Sequence, residues 1–225
     1  MSKQSGVIDY LYGLNHMADD LYNHSMRVSI LAGVIGKWMY KKASVVNELI
    51  LAGFLHDIGK TKFPPRLQSR RVETLNGEDF ERYMQHTIDG SHLLNENKKI
   101  PEGVKLAALQ HHECMDGSGF PFATKGEEIH EYARIIAIAD LYDNITTERE
   151  GFVRQTPFTA IAKITEQMYT KLDPTISVAI LKRIKDAFLG STVVLNNGLA
   201  GTIINYPHDF AEHPLVRIDQ DNVID

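Results

Sequence analysis

The sequence predicts a mainly α-helical protein that ends in a small β-structure. Apolar residues recur at helical spacing through most of the 225 residues, and residues that typically begin or end helices separate these runs. After Gly190 the pattern changes to alternation around an Asn197-Gly198 turn, which is typical of a hairpin. We therefore expect a helical domain over residues 1–189 and a β-hairpin or three-stranded appendage over residues 190–225. The appendage should pack on the helices, because an isolated hairpin is only marginally stable.

The first two helices are predicted from apolar spacing and from the residues at their ends. One should begin near Asp20, because the apolar residues from Leu21 to Trp38 recur with helical spacing. Ser44 is the expected N-cap of the second helix, which should carry His56 near its end. Gly59 is suited to the end of that helix.

The remaining helices follow the same reasoning. Asn76 is the expected N-cap of a long helix with acidic residues in its first turn, where the helix dipole favours negative charge. Pro101 should begin the next helix, which ends at His111-His112 before the glycine-containing loop DGSGFPF. Three further helices are expected at about residues 131–147, 156–169 and 174–189.

Composition limits the function classes. The chain is 43% hydrophobic with a net charge of −5 and has no basic run, which disfavours nucleic-acid binding as its main activity. The single cysteine, Cys114, excludes an internal disulfide and a cysteine-built zinc site. No signal peptide is recognisable, and the apolar run Val28 to Gly36 is too short to cross a bilayer. We expect a cytoplasmic protein without membrane insertion.

Potential metal ligands occur in five short segments of the predicted helices and helix ends. These ligands are His24, His56, Asp57, His86, His111, His112 and Asp140. A mixture of imidazole and carboxylate suits Fe, Mn, Zn or Co better than Ca or Mg. Seven ligands exceed the needs of one ion, so the sequence predicts a metal cluster with Asp57 as a candidate bridge between ions. Such a cluster points to metal-assisted hydrolysis.

Several neighbouring residues are candidates for substrate binding. Lys60 is either a solvated lysine or a phosphate contact beside the metals. Asp143 and Arg149 follow the ligand Asp140, and Arg149 is either a surface charge or a bidentate phosphate ligand. Gly117 and Gly119 should let a substrate approach the backbone closely.

The ordered motifs of the chain resemble the HD-GYP family of the HD phosphohydrolase superfamily. The motifs are a first histidine, HDIGK, a third histidine, HHECMDGSGFP and ADLYD with a following arginine. The resemblance covers roughly residues 20–190 and implies an HD-type helical bundle with two or three metal ions, commonly iron or manganese. It places one ion among His24, His56, Asp57 and Asp140, and a second among His86, His111, His112 and the bridging Asp57. Lys60 and Arg149 match the family's residues near the substrate phosphate.

Three features depart from the family pattern. The Gly-Tyr-Pro motif is Gly119-Phe120-Pro121 here, so that a hydroxyl is lost and the ring is kept. Asp20 stands where members with three ions carry a glutamate, and it is a shorter candidate ligand for a third metal. The segment after Arg149 also differs. No sensor domain is recognisable upstream, so we expect regulation through expression, metal supply or a signalling-protein partner.

The resemblance implies a metal-dependent phosphodiesterase that converts cyclic di-GMP to pGpG, GMP or both, through a hydroxide held between the cations. Asp57 and Lys60 would then be the catalytic residues. Two alternatives stay open. One is a nucleotide-binding or signalling scaffold with weak or no turnover, and the other is a phosphohydrolase for another cyclic dinucleotide or nucleotide. Metal identity between Fe and Mn and the oligomeric state stay open as well.

Overall fold

The body of the protein consists of seven α-helices in the part of the chain that the structure describes. This computed structural model describes residues 21–63, 75–148, 152–207, 213–218 and 223–224. The helices are α1 (Leu21–Trp38), α2 (Ala43–Leu55), α3 (Gly77–Asn95), α4 (Glu102–Gln110), α5 (Glu131–Thr146), α6 (Pro157–Gln167) and α7 (Pro174–Phe188). Two 3-10 helices, Ile58–Lys62 and Gly126–Glu128, lie between them. The prediction of a mainly helical fold is confirmed.

The ends of the helices show where local sequence determines structure. Thr156 and Asp173 cap α6 and α7 through side chains that accept from the amides of Thr159 and Ile176. Asn76 occupies the predicted N-cap position of α3. Pro101, which was predicted to begin α4, lies one residue before its first residue, Glu102, in the N-cap position. The predicted N-cap at Ser44 is wrong, because α2 already begins at Ala43 with Lys42 in the N-cap position. Ser44 therefore lies in the first turn, where a helix accepts serine at small cost.

The C-terminal appendage is an antiparallel sheet with strand order β1-β2-β3-β4. Its strands are β1 (Thr192–Val194), β2 (Ala200–Asn205), β3 (Leu215–Arg217) and β4 (Val223–Ile224). Gly198 in the turn between β1 and β2 has a φ of 83°, which a glycine adopts without strain. The predicted β appendage is thus confirmed, and a fourth strand of two residues extends the three expected ones.

One hydrophobic core joins the helices and the sheet. Helix α5 is central, because it contacts α1, α2, α4, α6 and α7. Its residues Ile135, Ile136, Ile138 and Ala139 are fully buried, so most faces of this helix are covered. Ile203 of β2 and Val216 of β3 belong to the same core cluster. This position of α5 takes Asp140 and Asp143 into the interior of the protein.

A close backbone contact brings the chain after α2 to the middle of α3. Gly59 lies so near α3 that a Cβ atom there would be 2.0 Å from the His86 carbonyl oxygen and 2.7 Å from the Gly90 nitrogen. Only a glycine permits this approach, which sets Asp57 and Lys60 beside His86. None of the helices, as far as the chain is described, is both long and apolar enough to span a membrane.

Candidate metal centre

The two carboxylate oxygens of Asp57 face different histidines at the centre of the helical body. Oδ2 lies 3.4 Å from Nε2 of His56 and 3.5 Å from Nε2 of His24. Oδ1 lies 3.2 Å from Nε2 of His86 and 3.6 Å from Nε2 of His111. Because α2 ends at Leu55, His56 and Asp57 lie in the turn before the next helix and both reach the interior. Asp57 is therefore placed between two clusters of ligands.

The first cluster, the first metal group, consists of His24, His56 and Asp140. Nε2 of His24 lies 3.1 Å from Oδ1 of Asp140, and Nε2 of His56 lies 3.9 Å from the same oxygen. The three side chains come from α1, from the end of α2 and from α5. Residues far apart in the sequence thus present three potential ligand atoms to one point.

The second cluster, the second metal group, consists of Asp57, His86, His111 and His112. Nε2 of His86 lies 3.2 Å from Nε2 of His111. Helix α4 ends at Gln110, so that His111 and His112 follow its last turn and both point toward His86. The helix end provides the change of direction that two consecutive ligands need.

Hydrogen bonds to the backbone determine which ring nitrogens are available. Nδ1 of His56 donates to the Gly53 carbonyl over 2.7 Å. Nδ1 of His86 donates to the Tyr83 carbonyl, and Nδ1 of His111 donates to the carbonyl of Ala108 over 3.1 Å. A carbonyl cannot donate, so each Nδ1 carries the proton and each Nε2 of a neutral ring presents a lone pair. This arrangement orients metal-binding imidazoles in general.

The charge state of the second metal group agrees with neutral imidazoles and an ionised carboxylate. Burial lowers the pKa of His86 to about 4, and it also lowers the pKa values of His111 and His112. Burial opposes ionisation of Asp57, but the neighbouring Lys60 ammonium keeps the pKa of this carboxyl well below its usual value. The lone pairs of His86 and His111 therefore face each other near neutral pH.

The donor atoms fit transition-metal ions. Facing lone pairs 3.2 Å apart repel each other unless a cation lies between them. Neighbouring ligands at about 2.1 Å from one ion are separated by about 3.0 Å in octahedral and about 3.4 Å in tetrahedral geometry. Nε2 of His56, Oδ1 of Asp57 and Nε2 of His112 are also buried without a hydrogen-bond partner in the described part of the chain. Buried polar atoms of this kind call for a ligand.

Lys60 and Tyr83 border the second metal group. The Lys60 ammonium donates to Oδ2 of Asp57 over 2.6 Å and lies 4.8 Å from the centre of the Tyr83 ring. Burial disfavours the charged amine, but Asp57 offsets this effect and raises the pKa of Lys60 above its usual value. Lys60 is therefore a fixed positive charge beside the ligands. Tyr83 packs against His86, with 4.9 Å between the ring centroids.

The loop after His112 is held by a buried glutamate. Glu113 accepts from the amides of Phe122 and Thr124 over 2.8 Å and 3.1 Å, and from the Thr124 hydroxyl over 3.2 Å. The amide of Phe120 donates to the His112 carbonyl over 3.2 Å. These bonds fold the loop back onto the end of α4 and set the Phe120 ring against His112.

The predicted roles of two glycines and of Asp143 need revision. A Cβ atom on Gly119 would be 2.3 Å from the His112 carbonyl oxygen, so protein backbone fills the space we had expected a substrate to use. Gly117 has a φ of 81° and is covered by the Lys125 side chain, so the turn itself requires it. Asp143 is buried and bound to His24 and Arg27, which does not suit the predicted substrate contact. Asp20 and Arg149 lie outside the described residues.

Three residues of the site were not predicted from the sequence. Arg27 and Tyr83 each lie three positions from a ligand on the same helix, which puts them on the same face. Glu113 directly follows the histidine pair and is buried through the loop amides. The helical spacing was a signal in the sequence that could have identified Arg27 and Tyr83. No signal in the sequence indicated the loop conformation that buries Glu113.

Comparison with known proteins identifies the family and the relatives of this chain. A family model described as HD domain matches residues 14–176. A cyclic di-GMP phosphodiesterase of Pseudomonas aeruginosa is 30% identical over 183 residues, which are 81% of this chain and 44% of that protein. A cyclic di-GMP phosphodiesterase of Thermotoga maritima is 33% identical over 183 residues, 80% of this chain and 49% of that protein. The chain thus spans about half the length of these relatives.

A solved structure supports the same fold. An HDG"Y"P protein from Bdellovibrio bacteriovorus superposes with a TM-score of 0.66 at 19% identity, covering 79% of this chain and 57% of that one. At this identity the likeness concerns the fold alone, and it confirms the expected HD-type helical bundle. The family model covers well over half of the sequence and includes every ligand of the two metal groups. This chain belongs to the HD domain family.

Proposed function

We propose that the chain is a metal-dependent phosphodiesterase that hydrolyses a cyclic dinucleotide, with cyclic di-GMP as the first candidate substrate. The products would be pGpG, GMP or both. The observation that carries this proposal is the pair of metal groups that share Asp57, one facing each of its oxygens. Two metal ions that share a ligand are suited to displacement at phosphorus, because they can act on the attacking and leaving oxygens together.

The residues of the two groups would hold the ions. His24, His56 and Asp140 would bind one, His86, His111 and His112 the other, and Asp57 both. When bound, such ions supply Lewis acidity toward phosphoryl oxygens and lower the pKa of water. The mixed nitrogen and oxygen ligands favour Fe or Mn over Mg or Ca. Asp20 stays a candidate ligand for a third ion.

Lys60 would stabilise negative charge on the phosphodiester. Its ammonium is fixed by Asp57 and lies beside both metal groups. A buried cation in a fixed position interacts with developing charge more strongly than a solvated lysine does. Arg149, which follows α5 in the sequence, is a further candidate for binding a phosphate group. The ordered loop that Glu113 holds would exclude water next to His112.

The relatives support the substrate class. Both of the cyclic di-GMP phosphodiesterases above match about four fifths of this chain. Cyclic di-GMP, cyclic di-AMP and 3'3'-cyclic GMP-AMP share the same type of phosphodiester linkage, so an enzyme can distinguish these three only through contacts with their bases and not through the metal groups. We therefore propose cyclic di-GMP first and other cyclic dinucleotides as alternatives.

The proposal is tested by hydrolysis with purified protein. The protein is loaded with Mn²⁺ or, without oxygen, with Fe²⁺, and incubated with cyclic di-GMP, cyclic GMP-AMP and cyclic di-AMP. Products are separated by chromatography and bound metal is measured by elemental analysis. We expect about two bound metal ions per chain, and we expect a linear dinucleotide to form from at least one of the three substrates. No product from any of the three with both ions bound would refute the proposed activity.

Two histidines of the same helix provide a matched control. His86 and His92 both lie on α3, but His86 is buried at the second metal group and His92 is exposed. His86→Ala should lose one ion and reduce hydrolysis by at least about 100-fold, since loss of even an indirect metal contact costs 10- to 100-fold. His92→Ala should behave as the wild type. Equal effects of both changes would contradict the assignment.

A nucleotide-binding module without turnover is the second candidate. The segment after Arg149 departs from the family pattern where substrate contacts are expected. If calorimetry shows tight cyclic di-GMP binding while the metal-loaded protein forms no product, this second function replaces the first. Such a module would act through a signalling-protein partner.

A further inference from the structure

His24 is oriented differently from three other histidines of the site. His56, His86 and His111 donate their Nδ1 protons to backbone carbonyls. His24 instead donates to a carboxylate, Oδ2 of Asp143, over 2.8 Å. A carboxylate partner makes an imidazole a stronger metal ligand than a carbonyl partner does. The first metal group therefore contains one ligand with a different electronic environment.

Asp143 is itself held by a buried arginine. Nε of Arg27 donates to Oδ1 of Asp143 over 2.7 Å, and Nη2 donates to Oδ2 over 3.3 Å. The Thr147 hydroxyl donates to Oδ1 over 3.1 Å. Arg27 lies one helical turn after His24 on α1, and Asp143 lies across from both on α5. The bidentate contact leaves the Asp143 carboxylate little freedom to turn away from His24.

The arginine also balances the charge. Without Arg27, the carboxylate of Asp143 would add a third negative charge to those of Asp57 and Asp140 in a buried site. With Arg27, Asp143 acts on the site through the His24 ring and adds almost no net charge. The pair can therefore strengthen one ligand without changing the total charge that two metal ions must neutralise.

We propose that Arg27 and Asp143 are positioning residues that make the first metal group the tighter of the two. By this inference the two ions bind with different affinities, and the pair governs only the ion held by His24, His56 and Asp140. The second metal group has backbone carbonyls behind His86 and His111 and should not respond to the pair. The inference rests on the proposed metal centre but is independent of the proposed substrate.

The test is a metal titration of the full chain with Arg27→Met, Arg27→Lys and Asp143→Asn. Binding of Mn²⁺ is measured by competition with a chelating indicator, and Co²⁺ absorption spectra report the ligand environment. We expect two binding phases in the wild type. Arg27→Met and Asp143→Asn should weaken the tighter phase by about 10- to 100-fold and leave the other unchanged. Arg27→Lys should recover part of the loss, because it keeps the charge but not the bidentate contact.

The affected phase is assigned with ligand variants. The binding phase that Arg27→Met and Asp143→Asn weaken must be the one that is lost in His24→Ala and retained in His86→Ala. Arg134→Met is the structural control. Arg134 forms a comparable ion pair with Asp173, with 2.6 Å between Nη1 and Oδ2, and this pair lies away from the metal groups. This variant should lower thermal stability and leave both metal affinities unchanged. A purely structural role for Arg27 would make Arg27→Met resemble Arg134→Met, which would overturn the inference.

A milder change covers the case in which Arg27→Met does not fold. Thr147→Val removes one hydrogen bond to Asp143 at nearly constant volume. It should weaken the same phase by a few-fold, and an unchanged titration would overturn the inference. If the wild type binds two ions but no variant of Arg27, Asp143 or Thr147 alters either phase, this inference fails and the proposed function stands. If the wild type binds no ion, both fail.

Discussion

The ring of Phe120 lies stacked on the imidazole of His112, with 4.6 Å between the ring centroids and 28° between the ring planes. His112 belongs to the second metal group, and Phe120 replaces the tyrosine of the family motif. The retained ring thus has a role that needs no hydroxyl, since it packs against a ligand and limits the rotation of that ligand.

Two substitutions of Phe120 should distinguish the effect of the aromatic ring from the effect of a tyrosine hydroxyl. Phe120→Ala removes the stacking, which contributes about 0.5–1.5 kcal/mol for aromatic pairs. We expect the affinity of the second metal group to fall by about 2- to 10-fold, measured by metal competition. Phe120→Tyr keeps the ring and should bind metal as the wild type does. A loss of metal in Phe120→Tyr that matches Phe120→Ala would show that the ring contact is not the cause.

The loop that carries Phe120 should depend on Glu113. Glu113→Gln replaces a charged acceptor of three hydrogen bonds by an amide, and it should destabilise the protein by about 1–3 kcal/mol. We expect a lower unfolding temperature and, because Phe120 shifts, weaker metal binding at His112. Glu128→Gln is the control, since Glu128 is exposed near the same loop. Its unfolding temperature should equal that of the wild type, and an equal decrease in both variants would contradict this role.

The contact at Gly59 should be intolerant of a methyl group. In Gly59→Ala the new Cβ would meet backbone atoms of His86 and Gly90, which cannot move independently. We expect a loss of about 3 kcal/mol in the free energy of unfolding, measured by denaturant titration, and a lower metal content. Gly90→Ala on the other side of the contact meets its nearest atom at 3.3 Å and should cost less than about 1 kcal/mol. Similar costs for both would refute the close approach.

The sheet should stabilise the helical body through one strand face. Ile203 is fully buried in the common core, whereas its neighbour Ile204 is 38% exposed. Ile203→Ala should lower the free energy of unfolding by about 2–5 kcal/mol, because it leaves a cavity in the core. Ile204→Ala should cost less than about 1 kcal/mol. The stability of both variants is measured by thermal unfolding of the helices, monitored by circular dichroism. If Ile203→Ala leaves the helical transition unchanged, the sheet is not part of the same cooperative unit.

Metal ions should stabilise the folded protein selectively. Ligands that bind only the native state raise its stability by about 2.7 kcal/mol at a free concentration 100 times the dissociation constant. We expect Mn²⁺ to raise the unfolding temperature of metal-free protein, and Mg²⁺ or Ca²⁺ at equal concentration to have little effect. His86→Ala should reduce the Mn²⁺ effect, and His92→Ala should not. Equal stabilisation by Mg²⁺ would contradict a site built on imidazoles.

Local patterns in the sequence were sufficient for the helices. Caps such as Thr156 and Asp173 and the apolar spacing act over a few residues, so they can be recognised without a fold. The hairpin turn at Gly198 is local in the same sense. The start of α2 was misplaced because Ser44 is a residue type that favours N-caps but lies in the first turn, while Lys42 occupies the cap without a side-chain capping bond.

The candidate ligands were also predictable as a set, but their surroundings were not. Motif order named the histidines and carboxylates of both metal groups, since each motif is a short segment. Asp143 was assigned to the substrate because its spacing from Asp140 left open which side chain it would meet. The contact with His24 depends on the packing of α1 against α5, across 119 positions in the sequence.

The sequence by itself determined the helices, the β appendage and the residue types available for binding metal. The tertiary structure decided which oxygen of Asp57 faces which histidines, why Gly59 and Gly119 must be glycines, and that Arg27 supports Asp143. The physical reason is the range of the interactions. Caps and periodicity depend on neighbours within a turn or two, whereas close backbone approach and buried charge pairing exist only after distant helices have packed together.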